Sequence, residues 1–437
     1  MESTSKQLDS KKTILAWAIY DWANSAFATT VLAGFFPLFF KQYWCAGSDV
    51  NVSTARLGLA NSLAGVTVAV LAPILGAIAD KGSVRKKFLL FFAYLGVVMT
   101  TSLYLVAEGN WALAVMLFVC ASIGFSGGNI FYDALITLVA SEKKMDMVSA
   151  LGFSLGYLGG GCLFSVNVWM MLSPETFGLA DRVAALRLSF VTVGIWWALF
   201  TVPLALIVKE PCAGPGLSTL KTIRAGLSQV RSTFSEIRHL KTVFVFLLAY
   251  WLYIDGVDTI VRMAVDYGLS IGFADKDLIV ALLIVQFVGF PCALVFGYLG
   301  NRVGPKRAIY MALAVYISVS VWAAFMQRAS EFYFMAILIG LVQGGVQALS
   351  RSYYTRIIPA NKSAEYFGFY NMLGKFAVVI GPVLVGLAGL LVRRLGFSHE
   401  IASRLSISSI AILFIAGGIL LYHVDEDKGK EQLKYLQ

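Results

Sequence analysis

Charge is scarce in this sequence. Only 14% of its 437 residues are Asp, Glu, Lys or Arg, whereas 58% are hydrophobic. A soluble domain has about 25% charged residues and needs them to cover its surface. The shortage of charge therefore excludes a soluble globular protein, and the apolar majority has to face lipid.

Histidine and cysteine are also rare, with three and five residues. The cysteines are far apart and form neither a Cys-x-x-Cys pair nor a Cys/His ligand pattern, so we interpret them as small buried hydrophobic residues. The sequence also lacks nucleophile–base pairs and a phosphate-binding loop. No enzyme activity, metal site or cofactor is predicted.

Long apolar runs dominate the chain instead. Twelve of them come near or exceed the length of about 20 residues that crosses a bilayer as a helix. They occupy residues 14–40, 57–79, 88–107, 111–138, 150–172, 187–208, 242–266, 278–300, 308–326, 332–350, 366–392 and 405–422. We predict an all-α membrane protein whose twelve transmembrane helices form two pseudo-symmetric six-helix bundles.

The net charge of +10 is explained by this topology. With both chain ends in the cytoplasm, 24 Lys and Arg residues fall in cytoplasmic segments and nine in outer loops or at their edges. This excess follows the positive-inside rule and predicts the orientation. A basic net charge can indicate a nucleic-acid partner. Because the topology accounts for the charge here, no such partner is expected.

A polar stretch that contains Pro and Gly divides the chain. It covers 209–241 and separates an N-terminal six-helix bundle at 1–208 from a C-terminal bundle at 242–424, which a cytoplasmic tail at 425–437 follows. Basic and apolar residues are interleaved in the second part of this linker. Both an amphipathic helix on the membrane surface and a plain solvated linker fit the pattern.

The two halves repeat one another. Gly76-Ala-Ile-Ala-Asp80-Lys joins spans two and three, and Gly297-Tyr-Leu-Gly-Asn301-Arg joins spans eight and nine, half the chain length further on. A Gly-Gly pair and a Gly-Phe pair recur at nearly the same offset. A duplicated six-helix unit of this kind is typical of carriers that bind their substrate between the halves, near the bilayer midplane.

The two loop motifs resemble the signature of the major facilitator superfamily, Gly-x-x-x-Asp-Arg/Lys-x-Gly-Arg/Lys-Arg/Lys. The first copy keeps the acid, Asp80, whereas Asn301 replaces it in the second copy. The resemblance implies the major facilitator fold and a cytoplasmic gate. In that gate, Asp80, Arg85 and the span-four acid Asp133 form a relay, with Arg85 as the expected partner of Asp133. We assign Asn301 and Arg302 of the second copy to the gate as well.

Three further segments carry a narrower resemblance. Trp17-Ala-Ile-Tyr-Asp21-Trp-Ala-Asn24, Tyr253-Ile-Asp255-Gly-Val-Asp258-Thr and Gly368-Phe-Tyr-Asn-Met-Leu-Gly-Lys375 are similar to the autophagy-related vacuolar amino-acid effluxer-like branch of the superfamily. For its fungal members, this resemblance implies export of amino acids from a compartment. A bacterial member is expected in the cell (inner) membrane, and a eukaryotic one in the vacuolar or lysosomal membrane.

Two residues of span eleven are polar at a depth where charge is costly. Lys375 lies about 16 Å from the cytoplasmic end of the helix, near the middle of a core of about 30 Å. Asn371 lies one turn earlier on the same face. We predict that the two form a joint donor set for the substrate, and a structural salt bridge between the halves is the alternative.

Spans one and seven carry the acids. On span one, Asp21 and Asn24 share a face that lines a cavity or fixes packing against a neighbouring helix. On span seven, Asp258 and Arg262 form an i,i+4 pair whose charges can neutralise each other. We assign Asp258 to the substrate-binding or coupling residues and Arg262 to the gate. Asp255 is left as the acid that is short of a partner. We predict that it carries a proton, and an ion network at the outer gate is the alternative.

These residues predict secondary active transport of a small polar solute by alternating access. An amino acid or similar zwitterion would place its carboxylate on Lys375 and its ammonium near Asp21 or Asp255. Proton coupling through Asp255 or Asp21 is a hypothesis. The expected partners are this solute, the lipid bilayer and, if coupling holds, protons, and we expect a monomer. The alternative is a non-transporting receptor or scaffold that keeps the fold.

Overall fold

The structure is a computed structural model that describes residues 8–47, 50–211, 236, 240–270, 275–326 and 328–434. Within these ranges some side chains lie outside the described part, those at 50, 51, 54, 55, 262–270, 275, 276, 329, 375–379, 382, 399, 400, 402, 403 and 434. Helices and short connections form all of the described chain, in which no strand occurs. The prediction that 209–241 is a linker falls almost wholly outside the described residues.

The helices match the predicted apolar runs. The first eleven runs correspond to one helix each, and two consecutive helices cover the twelfth. In chain order the helices are α1 Lys11–Trp44, α2 Val50–Gly82, α3 Arg85–Ser102, α4 Trp111–Val139, α5 Met145–Leu172, α6 Arg182–Ile207, α7 Lys241–Ser270, α8 Asp275–Val303, α9 Pro305–Ala323, α10 Ala329–Arg356, α11 Ser363–Arg394, α12 His399–Ser408, α13 Ala411–Tyr422 and α14 Glu426–Lys434. The last of these, α14, lies in the tail.

Ten segments of the described chain are long and apolar enough to cross a membrane. They lie in α1 to α8, in α10 and at Arg404–Tyr422. The other two predicted spans, α9 and α11, are helical too. α9 has Pro305 and two basic residues in its first turn, which shortens its apolar stretch. α11 has 32 residues, enough for about 48 Å of helix.

One compact unit contains Met1–Ser141, Leu155–Leu227 and Ala364–Asn371. Its helices approach closely at glycines. A Cβ added to Gly124 of α4 would lie 2.5 Å from the backbone nitrogen of Gly96 of α3, and one added to Gly159 of α5 would lie 2.5 Å from the Trp22 carbonyl oxygen of α1. Only glycine fits at these two crossings.

The other compact unit contains Glu142–Ser154, Ser228–Ser363 and Met372–Gln437. Within it α10 packs on α8 at Gly345, where an added Cβ would meet the Phe296 ring, and α13 packs on α7 at Gly417, next to Tyr253. Two helices change unit along their length, α5 at residue 154 and α11 at residue 371. These two points are separated by half the chain length, as are the two copies of the sequence repeat.

Each unit contains the same lysine contact between two of its helices. Near the start of α3, the Nζ of Lys86 donates to the carbonyl oxygens of Ala205 and Val208 at the end of α6, at 3.1 and 2.9 Å. Near the start of α9, the Nζ of Lys306 donates to the carbonyls of Tyr422 and Val424 at the end of α13, at 2.9 and 2.6 Å. These bonds satisfy carbonyls that a helix end leaves without an intrahelical partner.

Candidate functional site

A buried carboxylate, that of Asp21, lies in α1 within the first unit. Its side chain is only 8% exposed. The Ser25 hydroxyl, one turn later, donates to Oδ1 at 3.2 Å, and the Tyr132 hydroxyl of α4 donates to Oδ2 at 3.3 Å. Both donors are neutral, and both distances are at the long end for O–H···O bonds.

Aromatic side chains hold Tyr132 in place. The Trp17 ring stacks on the Tyr132 ring with centroids 4.3 Å apart and planes 10° apart, and the Trp17 indole N–H donates to the Tyr132 carbonyl at 3.0 Å. Stacking and a hydrogen bond to the same residue fix the ring next to α1. They therefore help to position the hydroxyl that contacts Asp21.

An amide pair lies one turn along the same two helices. The Nδ2 of Asn24 donates to the Oδ1 of Asn129 at 2.6 Å, and Asn24 is 1% exposed. The predicted stripe of Trp17, Asp21 and Asn24 is thus buried, and each of its members bonds a residue of α4. The cavity and packing interpretations of Asp21 both remain compatible with these contacts.

Asp133 of α4 contacts the first turns of α11. The Nδ2 of Asn371 donates to the Oδ2 of Asp133 at 3.2 Å and to the Phe367 carbonyl at 3.0 Å. Asn371 was predicted to bind substrate together with Lys375, whose side chain lies outside the described residues. The contact connects Asn371 with an acid that was predicted to belong to the gate, and the joint role of Asn371 and Lys375 stays a prediction.

Asp80 binds the start of α11 in the same unit. Its carboxylate accepts the backbone N–H groups of Ala364 and Glu365 at 3.2 and 2.8 Å, and the Nε of Arg85 donates to it at 2.6 Å. A carboxylate at a helix N-terminus satisfies free N–H groups and interacts favourably with the helix dipole. Gly76 permits the approach, since an added Cβ would lie 2.8 Å from the Cα of Glu365.

Two contacts made by residues of the predicted gate are therefore seen in the structure. Asp80 pairs with Arg85, and Asp133 bonds Asn371. The predicted step between Arg85 and Asp133 stays a prediction.

A second buried carboxylate, that of Asp255, lies in α7 within the second unit. It is fully buried. Its Oδ1 accepts the Gly381 N–H of α11 at 3.0 Å and the Thr259 hydroxyl at 3.2 Å, whereas its Oδ2 has no hydrogen-bond partner among the described residues. Gly381 precedes Pro382, which has no N–H and disfavours helical geometry in the residue before it. The Asp255 carboxylate thus bonds α11 next to a residue that weakens helical hydrogen bonding.

The other predicted residues of span seven are less fully described. Asp258 is half-buried. Arg262 lies in α7, but its side chain is among those outside the described part, so the Asp258–Arg262 pair stays a prediction.

The second loop motif differs from the first in its surroundings. Asn301 and Arg302, at the end of α8, are both exposed. The Arg302 guanidinium lies 4.8 Å from the centre of the Tyr298 ring on the same helix. Asp80, the counterpart of Asn301, is buried at a helix end, so the two copies of the motif have unlike environments. Their shared assignment to the gate stays a prediction.

Sequence reasoning missed several residues at these sites. Tyr132 and Thr259 were hidden among ordinary span residues, because their hydroxyls give no signal until a neighbouring helix is placed. Asp146 and Glu365 were missed although both are fully buried acids in the first turn of a helix, α5 and α11. Their separation along the chain matches the offset of the repeat, so a comparison of the two halves could have found them.

Solved structures share this arrangement of helices. The proton:xylose symporter XylE bound to 6-bromo-6-deoxy-D-glucose is 13% identical with a TM-score of 0.70, over 97% of each chain. The human organic anion transporter MFSD10 is 14% identical with a TM-score of 0.68, over 94% of this chain and 99% of that one. The predicted fold is confirmed: the chain has the major facilitator fold, which these two membrane transporters share.

Sequence relatives narrow the class to a family. The family model described as "Vacuole effluxer Atg22 like" matches residues 45–434. The uncharacterized MFS-type transporter YxiO of Bacillus subtilis (strain 168) is 37% identical over 94% of both chains. Autophagy-related protein 22 of Coccidioides immitis (strain RS) is 23% identical over 98% of this chain and 89% of that protein. The chain belongs to the Atg22-like family, which confirms the resemblance seen in the sequence.

Proposed function

We propose that this multi-pass membrane transporter moves a small zwitterionic solute, an amino acid or a compound like it, by alternating access. The proposal rests on two buried carboxylates, Asp21 and Asp255, that lie inside spans and accept hydrogen bonds from hydroxyl and backbone N–H groups. A carboxylate within the membrane is costly and marks a substrate or proton path.

Asp21 is the proposed binding group for the solute's ammonium. The Asp21 carboxylate lies inside a span and accepts the hydroxyls of Ser25 and Tyr132 at 3.2 and 3.3 Å, and a carboxylate forms charge-assisted hydrogen bonds with an ammonium group. The stacked rings of Trp17 and Tyr132 add an aromatic surface beside it, which attracts a cation. Lys375 is the proposed partner of the solute's carboxylate.

Asp255 is the proposed proton carrier. Its Oδ1 is held by Gly381 and Thr259, whereas its Oδ2 has no partner among the described residues. A proton can therefore bind Oδ2 while both existing bonds persist, so the acid can load and unload a proton without losing its position.

The remaining parts of the proposal concern location and assembly. The excess of basic residues in the loops on one side supports placing both chain ends in the cytoplasm. The 37% identity to a Bacillus subtilis protein supports a cell membrane as the location. We propose that the protein acts as a monomer, with protons as a second transported species.

Purified protein in liposomes tests the proposal with a panel of labelled amino acids. Asp21→Asn is expected to raise KM by about tenfold or more, because a neutral amide replaces the charged partner of the ammonium. Asp255→Asn is expected to abolish accumulation driven by a pH gradient but to retain exchange of solute. Asp277→Asn, at the start of α8 where Tyr333 bonds the acid at 2.6 Å, is the control and is expected to behave like the wild type.

Two outcomes would count against the proposal. Equal transport with and without a pH gradient, together with full activity of Asp255→Asn, rejects proton coupling. No flux for any solute in a broad metabolite panel rejects the carrier and favours a receptor or scaffold with this fold.

A further inference from the structure

A second group of charges lies at the predicted cytoplasmic ends of α5 and α10, within the second unit. Asp146, in the first turn of α5, is completely buried. Its carboxylate accepts the hydroxyl of Ser352, and the Nη2 of Arg356 donates to it at 2.7 Å. Ser352 and Arg356 both lie in the last turns of α10.

The next turn of α5 continues the contact. Arg351, which is 2% exposed, donates through Nε to the Ser149 hydroxyl at 2.9 Å and through Nη2 to the Ser149 carbonyl at 2.8 Å. The Ser149 hydroxyl in turn donates to the Ala348 carbonyl at 2.7 Å. α5 belongs to the first half of the sequence repeat and α10 to the second. Alternating access requires contacts of this kind to break and reform.

The sequence repeat relates the Asp146 contact to the Asp80 contact of the first unit. In the first loop motif, Asp80 binds the N–H groups that open α11. In the second motif the acid is missing, and Asn301 is exposed. In the second unit the acid that contacts a neighbouring helix is Asp146, which lies on α5 and bonds residues of α10. Its counterpart in the repeat is Glu365, in the first turn of α11.

The tail helix α14 joins this group. Asp425 accepts the N–H groups of Asp427 and Lys428 at 3.1 and 3.3 Å and so begins the helix. These bonds, first that of Lys428, hold the pKa of Asp425 below its ordinary value. The next residue, Glu426, lies with its Oε1 3.5 Å from the Nη1 of Arg356. Lys430 pairs with Glu426 at 2.9 Å.

Lys430 also pairs with Glu142, which lies just before α5. Two further contacts fix α14 on the same surface: the Gln432 side chain accepts the Thr242 N–H of α7 at 3.4 Å, and Gly429 packs against Ile357 at the end of α10. The tail helix therefore contacts α10 at Arg356 and the residues just before α5 at Glu142.

We propose that Asp146 and Arg356 form a second cytoplasmic lock, which replaces the acid missing from the second loop motif, and that α14 strengthens this lock through Glu426 and Lys430. The guanidinium of Arg356 is planar and donates through a fixed fork. One side of the fork faces Asp146 and the other faces Glu426, so the tail sets the orientation of the arginine. Lys430 tethers the start of α5 through Glu142.

Hydrogen exchange of the full-length protein in lipid nanodiscs tests the lock without a known solute. Lys430→Gln is expected to speed exchange of peptides covering 142–154 and 345–356 by about twofold to fivefold, the range for exposed ion pairs. Lys428→Gln is the matched control. Lys428 is on the same helix, but its described ion pair is a local one with Asp425 at 3.7 Å, so its exchange is expected to equal that of the wild type.

Asp146→Asn is expected to speed exchange of the same two peptides by at least about 100-fold, because a buried ion pair is broken. A lock predicts that both peptides change together and that the helices of the first unit keep their exchange rates. A merely structural contact predicts faster exchange throughout and a lower melting temperature.

Equal exchange in Lys430→Gln and Lys428→Gln would overturn the role of the tail, and unchanged exchange in Asp146→Asn would overturn the lock. The inference rests on the proposed alternating access and not on the proposed solute. If amino acids are not transported but the exchange results are as expected, the lock stands and only the solute assignment fails.

Discussion

Replacing Asp80 by Asn is expected to detach the start of α11 and to destabilise the first unit. All three described partners of this carboxylate are donors: the Nε of Arg85 and the N–H groups of Ala364 and Glu365. Asn has the same shape, but it replaces one acceptor oxygen by an NH2 group. The NH2 group of Asn then faces an N–H donor at a buried position, where the Asp80 side chain is 2% exposed.

The size of the effect follows from these contacts. A hydrogen bond to a charged group contributes about 1.5–3 kcal/mol, and removing one partner of a buried ion pair costs about 3–5 kcal/mol. Because Asn keeps one acceptor, we expect a loss near the lower end, about 3 kcal/mol. If the start of α11 opens locally, that loss corresponds to about 100-fold faster amide exchange at Ala364 and Glu365.

Two controls isolate the cause. Asn301→Ala changes the same motif position in the second repeat, where the side chain is exposed, and is expected to stay within about 0.5 kcal/mol. Asp181→Asn makes the same chemical change at the start of α6, where Asp181 accepts the Ala184 N–H at 2.7 Å. Asn and Asp cap helices equally well, so its effect is expected to be small.

Equilibrium unfolding of the purified protein in detergent, followed by tryptophan fluorescence, measures the loss, and hydrogen exchange of a peptide covering 360–371 locates it. Asp80 does not hold the start of α11 if Asp80→Asn unfolds at the same denaturant concentration as the two controls, or if its peptide exchanges no faster than theirs.

The remaining predictions concern three other contacts. Tyr132→Phe removes one donor to Asp21 but keeps the stacked ring; we expect a stability loss of about 1 kcal/mol and a changed KM with little change in kcat, measured in liposomes. Gly381→Ala places a Cβ 2.8 Å from the Oδ1 of Asp255. It is expected to lower stability by about 1–3 kcal/mol and to impair transport. Gly386→Ala on the same helix, where an added Cβ has nothing within 4 Å, is the control and should melt like the wild type. Lys306→Met leaves two carbonyls without their donor and is expected to lower stability by about 1.5–3 kcal/mol; an unchanged melting temperature would contradict this.

Much of the site followed from the sequence because the spans are helices with a fixed period. Asp21 and Asn24 lie three residues apart, so they share a face, and their polarity excludes that face from lipid. The structure places both against α4. The loop motif likewise identified Asp80 and Arg85, which pair at 2.6 Å.

The partners of these residues were harder to predict. Asn371 is predicted to act with Lys375, because both lie on one face of a helix, and this stays a prediction. Helical spacing identifies neighbours on the same helix but not the side chain of another helix that meets them, here Asp133. Asn301 shows the same limit, since a motif position does not reveal whether its side chain is buried at a helix end or exposed.

The sequence by itself determined the class of this protein. Scarce charge, twelve apolar runs and an offset near half the chain length require membrane helices in a duplicated arrangement, because a bilayer imposes span length and excludes unpaired charge. Only the tertiary structure decided which polar groups meet. It brings Asp146 to Arg356, Asp80 to the start of α11 and Asp255 to Gly381, contacts between residues 126 or more positions apart. Such pairings depend on how helices cross and rotate, which no local pattern in the chain encodes.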